Sequence, residues 1–168
     1  IPDLVIYEVV DANQFRQALP QIVAHEGPVY IRMFRKTIDD VFTDPDYKFD
    51  LFHADTLQEG TDVSIFCSGI MVQETVKANE ILKAEGISAD IISIHTVKPI
   101  DREAVITSAK KTGAVVTAEN HNIIGGLRSA VSEVLCEECP TPLRAVGVKD
   151  RFGQVGKMPF LKEEYQMR

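Results

Sequence analysis

Apolar residues fall in short β-branched runs separated by longer stretches with helical spacing. Residues 4–10 form the first run, closed by Asp11, a good helix cap, with Gln14 three positions on in the manner of a capping box. A helix is predicted over residues 12 to about 25, with Phe15, Ala18, Leu19, Ile22 and Val23 on one side. Pro20 within it should kink or split it. Gly27-Pro28 ends it, and residues 29–34 read as a second strand. Two strands and one helix cannot bury both faces, so this is a partial βαβ unit.

From residue 61 the alternation becomes regular. Strands are predicted at 63–67, 89–94, 114–118 and 143–148. Helices are predicted at 71–84, 101–112 and from Gly125-Gly126 to Pro140. The first is bounded by Glu85-Gly86, the second capped by Asp101 and ended by Gly113. Residues 95–100 read as a loop, because Pro99 drives Lys98 towards extended geometry. Near-continuous apolar strands alternating with helices predict an α/β fold, a three-layer α/β/α sandwich with a mostly parallel sheet.

Between these regions lies 37–60, where seven carboxylates face one Lys48 across residues 39–59. Its lack of periodicity and its Asp44-Pro45-Asp46 predict a solvated linker, with one short strand near residues 49–52. The acidic spacing does not fit an EF-hand loop, and no metal site is expected. The expected domains are thus 1–36, the acidic linker 37–60, and 61–168.

The 168 residues carry a net charge of −7, of which residues 1–60 contribute −6 (5 basic, 11 acidic). That balance argues against nucleic acid or an anionic membrane as partner. No apolar run approaches the roughly 20 residues of a membrane span. No basic head or initiator Met opens the chain, and three unevenly spaced Cys make no disulfide framework. A cytoplasmic protein is expected. Cys136-Glu137-Glu138-Cys139 ends a helix, where the dipole disfavours thiolate, so no redox role is assigned.

Candidate chemistry lies at the carboxyl ends of strands, where α/β sheets bind ligands. Arg32, Arg35 and Lys36 offer guanidinium and ammonium groups suited to an anion, and odd spacing places Arg32 and Arg35 on opposite faces of an ideal strand. His95 with Thr96 and Lys98 offers acid–base or oxyanion-binding groups. Gly125 and Gly126 open a helix whose first N–H groups could meet an anion, with Glu119 and His121 just before them; a tight strand-to-helix turn is the plainer reading. Asp150 and Arg151 are expected in a salt bridge or an interface.

Several segments, in order, resemble the carboxy-terminal domain of transketolases, above all that of bacterial and archaeal transketolases split over two polypeptides. They are Asp62-Val63-Ser64-Ile65 leading to Ser68-Gly69; Ala84-Glu85-Gly86-Ile87; and Thr96-Val97-Lys98-Pro99-Ile100-Asp101. Glu119 to Leu127 with Ser129-Ala130-Val131, and Gly147-Val148-Lys149-Asp150-Arg151-Phe152-Gly153, continue the match. Residues 1–36 resemble the last βαβ of the preceding pyrimidine-binding domain, with Asp11-Ala12 and Gly27-Pro28 in their places.

The resemblance implies a section of a thiamine-diphosphate transferase of the pentose phosphate pathway, moving a two-carbon ketol unit between sugar phosphates. It implies an N-terminal section of transketolase as partner and a homodimer. The family's Gly-Asp-Gly…Asn signature and its activating glutamate are not in these residues. The chain is therefore expected to lack its N-terminal side, to be inactive alone and to hold no cofactor, thiamine diphosphate and Mg belonging to the full enzyme. Arg35 stands where transketolases bind the substrate's terminal phosphate. Asn120, where an acidic residue is common, and Arg128, where Gly is common, depart from the pattern. Two alternatives share the tail domain, 1-deoxyxylulose-5-phosphate synthase and the β subunit of a 2-oxoacid dehydrogenase. A stand-alone binding or dimerisation module is the alternative from another class.

Overall fold

The computed structural model describes residues 1–36 and 38–167; Thr37 and Arg168, in the expected linker and second domain, lie outside the described residues. The first elements are β1 (Val5–Glu8), α1 (Ala12–Ala24), β2 (Val29–Arg32), β3 (Asp55–Gln58), β4 (Val63–Cys67) and α2 (Met71–Ala84). There follow β5 (Ala89–Ser93), β6 (Thr96–Lys98), α3 (Arg102–Thr112), β7 (Val115–Asn122), α4 (Leu127–Glu138), β8 (Leu143–Val148) and α5 (Met158–Glu164).

Five strands form one sheet in the order β3-β5-β4-β7-β8. The β4–β5, β4–β7 and β7–β8 pairs are parallel, and β3 closes one edge antiparallel to β5. Alternation along the strands sends Ile65, Cys67, Ala89 and Ile91 to one face, where they pack on Met71 and Val72 of α2. Phe66, Ile92, Ile94 and Val115 go to the other, against Val105 and Ala109 of α3 and Leu127, Val131, Val134 and Leu135 of α4. Burial on both faces is why β4 reads as an unbroken apolar run. The result is the expected three-layer α/β/α sandwich. The caps match as well, with Asp101 Oδ1 accepting from Ala104 N at 3.0 Å and Gly113 adopting φ +70°.

A second sheet, β2-β1-β6, pairs β1 parallel to β2 through the α1 crossover. Its third strand corrects the loop reading of residues 95–100. Thr96–Lys98 runs antiparallel to β1, setting Thr96 opposite Tyr7 and Lys98 opposite Ile6. Two further expectations fail on α1. The helix runs through Pro20 without a break. Only the Arg16 carbonyl loses a donor, and both residues lie on the exposed side, within reach of water. Leu19 and Val23, expected inward, are exposed.

The acidic segment is not simply solvated. Phe42, Phe49 and Leu51 are buried. Asp11 caps α1 through Oδ1 to Gln14 N at 2.7 Å, while its Oδ2 accepts Val41 N and Phe42 N at 2.7 and 2.8 Å. Gln17 and Gln21, one turn apart on α1, bond backbone groups of Tyr47, Phe49 and Leu51 at 2.7–3.0 Å. Side-chain amides thus replace a strand ladder, which is why the strand lies at β3 rather than near residues 49–52. Helix α5 was not foreseen; it has only seven residues and no side-chain cap. Among the described residues no helix is long and apolar enough to cross a membrane.

Candidate functional site

The chain leaves β4 for β5 on one side and later places β7 on the other, so strand order reverses between β4 and β7. Open α/β sheets take ligands beyond the carboxyl ends of strands at such a point. Here the second sheet fills it. Glu8, ending β1, lies against Gly69, just past β4, and its backbone N–H bonds His95 O at 2.7 Å. Gly69 has φ +54°, and a Cβ there would sit 2.6 Å from Glu8 Oε1, so both backbone and space require glycine. Arg32, ending β2, ion-pairs with Glu8 through Nη1. The same Nη1 donates to Asn120 Oδ1 at 2.8 Å, and Nη2 to Asn120 O at 2.9 Å.

Beside this junction opens a cleft of about 510 Å³. Glu8, Arg32, Met33, Phe34, Arg35, Lys36 and Asn120 line it on one side, and Gly156, Met158 and Leu161 on the other. Arg32 and Arg35 border the same cleft instead of opposite faces, because β2 ends at Arg32 and the alternation stops there. Their states differ. Arg32 is held by two partners, whereas Arg35 and Lys36 are exposed and have no ion-pair partner among the described residues.

The Gly-rich turn carries its own anion. Glu119 is 1% exposed and accepts Leu127 N at 2.6 Å through Oε2 and Arg128 N at 2.9 Å through Oε1. These are the first N–H groups of α4, so an internal carboxylate occupies the helix N-terminus. Gly126 leaves it room, since a Cβ there would collide with Oε2. Burial raises the Glu119 pKa above the usual carboxylate range, with nearby Glu8 adding to the effect, although the two N–H groups and His121 oppose it. Gly125 turns the chain at φ +78°.

His95 is buried rather than presented to a substrate. Its Nε2 lies 2.9 Å from His53 O, a carbonyl that only accepts, so Nε2 carries the proton. Its Nδ1 lies 3.0 Å from Thr96 Oγ1, which donates to Leu51 O at 2.6 Å. Burial lowers its pKa to about 4. Nearby, Asp55 Oδ2 accepts Tyr47 OH at 3.0 Å and Gln14 Nε2 at 3.1 Å, and Gln14 Oε1 accepts Tyr7 OH at 3.1 Å. Burial pushes Asp55 up to about 6 against these two hydrogen bonds, which lower it.

The remaining candidates are local. His121 is exposed, and its Nδ1 meets Asn122 O at 3.0 Å. Asp150 accepts Asn122 Nδ2 at 3.3 Å. Arg151 pairs with Glu164 at 2.9 Å and lies 4.4 Å from the Tyr165 ring centroid, tying the chain after β8 to α5. All three cysteines are free, and among the described residues no group of three or more His, Cys, Asp or Glu could hold a metal ion.

The structure therefore brings Arg32, Arg35 and Asn120 to one cleft, sets Glu119 on the first N–H groups after the Gly-rich turn, and buries His95. Sequence reasoning missed Glu8. Its signal was present, a lone carboxylate in the apolar run 4–10, since a charge in a buried strand needs a partner.

The transketolase, C-terminal domain family matches residues 53–168. A 6-deoxy-6-sulfo-D-fructose transketolase subunit of Clostridium sp. (strain MSTE9) is 53% identical over 98% of this chain and 51% of its own length. A putative transketolase C-terminal section of Methanocaldococcus jannaschii is 36% identical over 98% of this chain and 52% of its own. A 1-deoxy-D-xylulose-5-phosphate synthase of Heliobacterium modesticaldum is 35% identical over 98% of this chain, but over only 26% of its own length. Among solved structures, a split-gene transketolase, described as an inactive beta4 tetramer, superposes with a TM-score of 0.94 at 44% identity, over 99% of this chain and 55% of that one. The chain thus spans about half the length of the transketolase subunits it matches. On the ordered motifs, the sandwich and these matches together, the chain belongs to the transketolase C-terminal domain family.

Proposed function

We propose that this chain serves as the carboxy-terminal section of a cytoplasmic enzyme that transfers a two-carbon ketol unit between sugar phosphates, and that Arg35 anchors the substrate's terminal anion. The observation carrying this reading is the exposed Arg35 guanidinium, without an ion-pair partner among the described residues, beside Lys36 in an open cleft past the carboxyl end of β2. A guanidinium fork matches the oxygens of a phosphate, and such charge-assisted bonds contribute roughly 1.5–3 kcal/mol each. The other site residues bear on shape rather than on reaction. Glu119, His121, Gly125, Gly126, His95, Asp150 and Arg151 hold turns and sheet junctions.

Ketol transfer of this type uses thiamine diphosphate and Mg. The residues present do not fit that group. The one carboxylate lining the cleft, Glu8, is taken by Arg32, and the helix N-terminus suited to a diphosphate is taken by Glu119. The cofactor is accordingly assigned to the remainder of the enzyme, with an N-terminal transketolase section as partner and the complete enzyme as a homodimer; this chain by itself is expected to be inactive. Combining the chain with such a section should yield activity on ketose phosphates. Arg35→Ala should then raise KM about tenfold or more for phosphorylated substrates, the loss of one charge-assisted bond. An unchanged KM would overturn the anchor.

A second reading concerns the anion itself. The relative that is 53% identical acts, by its name, on 6-deoxy-6-sulfo-D-fructose. A sulfonate presents three oxygens as a phosphate does, with less charge, and the two exposed cations Arg35 and Lys36 suit either. Donor competition between a sulfonated and a phosphorylated ketose decides it. Turnover of pyruvate in place of a ketose would favour the synthase reading instead.

A further inference from the structure

We propose that Arg32 is a positioning residue that acts through Glu8, rather than a ligand of the substrate anion; this rests on the ketol-transfer reading with Arg35 as anchor. Glu8 is 7% exposed and lines the cleft that an anion would enter. Its carboxylate is nearly closed off from water and lies against Gly69, while the backbone of Glu8 is tied to His95 O. Left alone, that negative charge would repel an incoming anion and would also lie near the buried Glu119 carboxylate, whose pKa it helps to raise.

Arg32 resolves both problems. One nitrogen meets Glu8 and Asn120 Oδ1, and the other meets the Asn120 carbonyl. Three of its five N–H groups are thereby committed within the protein, and its charge is matched by that of Glu8. The same bonds join the end of β2 to β7. The positive charge left for an anion is then that of Arg35 and Lys36. Asn at position 120 suits this division, since it supplies two oxygens to the fork without adding a second charge that Arg32 would have to neutralise.

The test uses the assembled enzyme and three variants of this chain. Arg32→Met exposes the Glu8 carboxylate, and KM for a phosphorylated substrate should rise roughly tenfold with kcat unchanged. Arg32→Met combined with Glu8→Gln removes the unpaired charge, and KM should return to within about threefold of the parent. The thermal midpoint of the chain should follow the same course, falling in the single variant and recovering in the double. A double variant as impaired in KM as the single would show that Arg32 touches the anion and would overturn the proposal. So would an unchanged KM in Arg32→Met. Arg35→Ala, the third variant, reports on the anchor separately. If it leaves KM unchanged the anchor fails, while coupling of Arg32 to Glu8 is still read in the thermal midpoints, where additive losses would refute it.

Discussion

The Glu119 carboxylate meets the backbone N–H of Leu127 at 2.6 Å, although eight residues and the Gly-rich turn separate them in sequence. A buried side chain on β7 thereby caps α4 in place of the Ser, Thr or Asp that helices commonly use. Glu119→Ala should cost about 2 kcal/mol or more, because two N–H groups are orphaned in a buried place. Glu119→Gln, which keeps an acceptor, should cost less. Gly126→Ala should be at least as damaging as Glu119→Ala, since its Cβ collides with Glu119 and lies 2.6 Å from Asn122 O. Urea unfolding of the three variants gives the order.

Asp55 and His95 oppose each other as pH falls. Asp55, near 6 in the folded chain against 3.8 as its ordinary value, binds more protons folded than unfolded. Its contribution is complete below 3.8 and is lost as pH rises through about 6. His95, near 4 against 6.5, contributes above 6.5 and loses that contribution as pH falls through about 4. Each accounts for roughly 1–3 kcal/mol. Between pH 6.5 and 4, Asp55→Asn should therefore lose thermal stability more steeply than the parent, and His95→Gln less steeply. Melting curves at pH 7 and 4.5 check the sign, and slopes parallel to the parent's would refute it.

Thiol reactivity should separate the cysteines. Burial pushes Cys67 up to about 12, whereas Cys136 is exposed. At pH 8 a thiol reagent should label Cys136 quickly in the folded chain and spare Cys67, which becomes reactive only in denaturant. Peptide mapping of the labelled sites is the measurement.

The Tyr165 hydroxyl accepts Gln154 N at 2.7 Å and donates to Phe152 O at 3.1 Å. Tyr165→Phe should loosen residues 151–157 at a cost of about 1–2 kcal/mol while keeping the ring beneath Arg151. Faster amide exchange confined to that segment is the expected signature.

Much of the fold was legible because strands with two buried faces and helices with clear caps announce themselves. Val63–Cys67, Met71–Ala84 and Leu143–Val148 fall where expected. What escaped depended on distant partners. Residues 96–98 become a strand only because Ile6 and Tyr7 lie beside them. Phe49 and Leu51 settle because Gln17 and Gln21 receive their backbone. Of the candidate site, the cations Arg32 and Arg35 were visible, but the difference between them was not. It depends on Glu8 and Asn120, which are 24 and 88 residues from Arg32.

Strand β6 has a practical consequence for anyone dividing this chain. It follows β5 in sequence yet belongs to the sheet begun by β1, so the two sheets are interleaved rather than strung one after the other. A cut near residue 60 would leave Thr96–Lys98 as a bare edge on one piece and strip β1 of a neighbour on the other. The two pieces should then recover their native signal only when mixed.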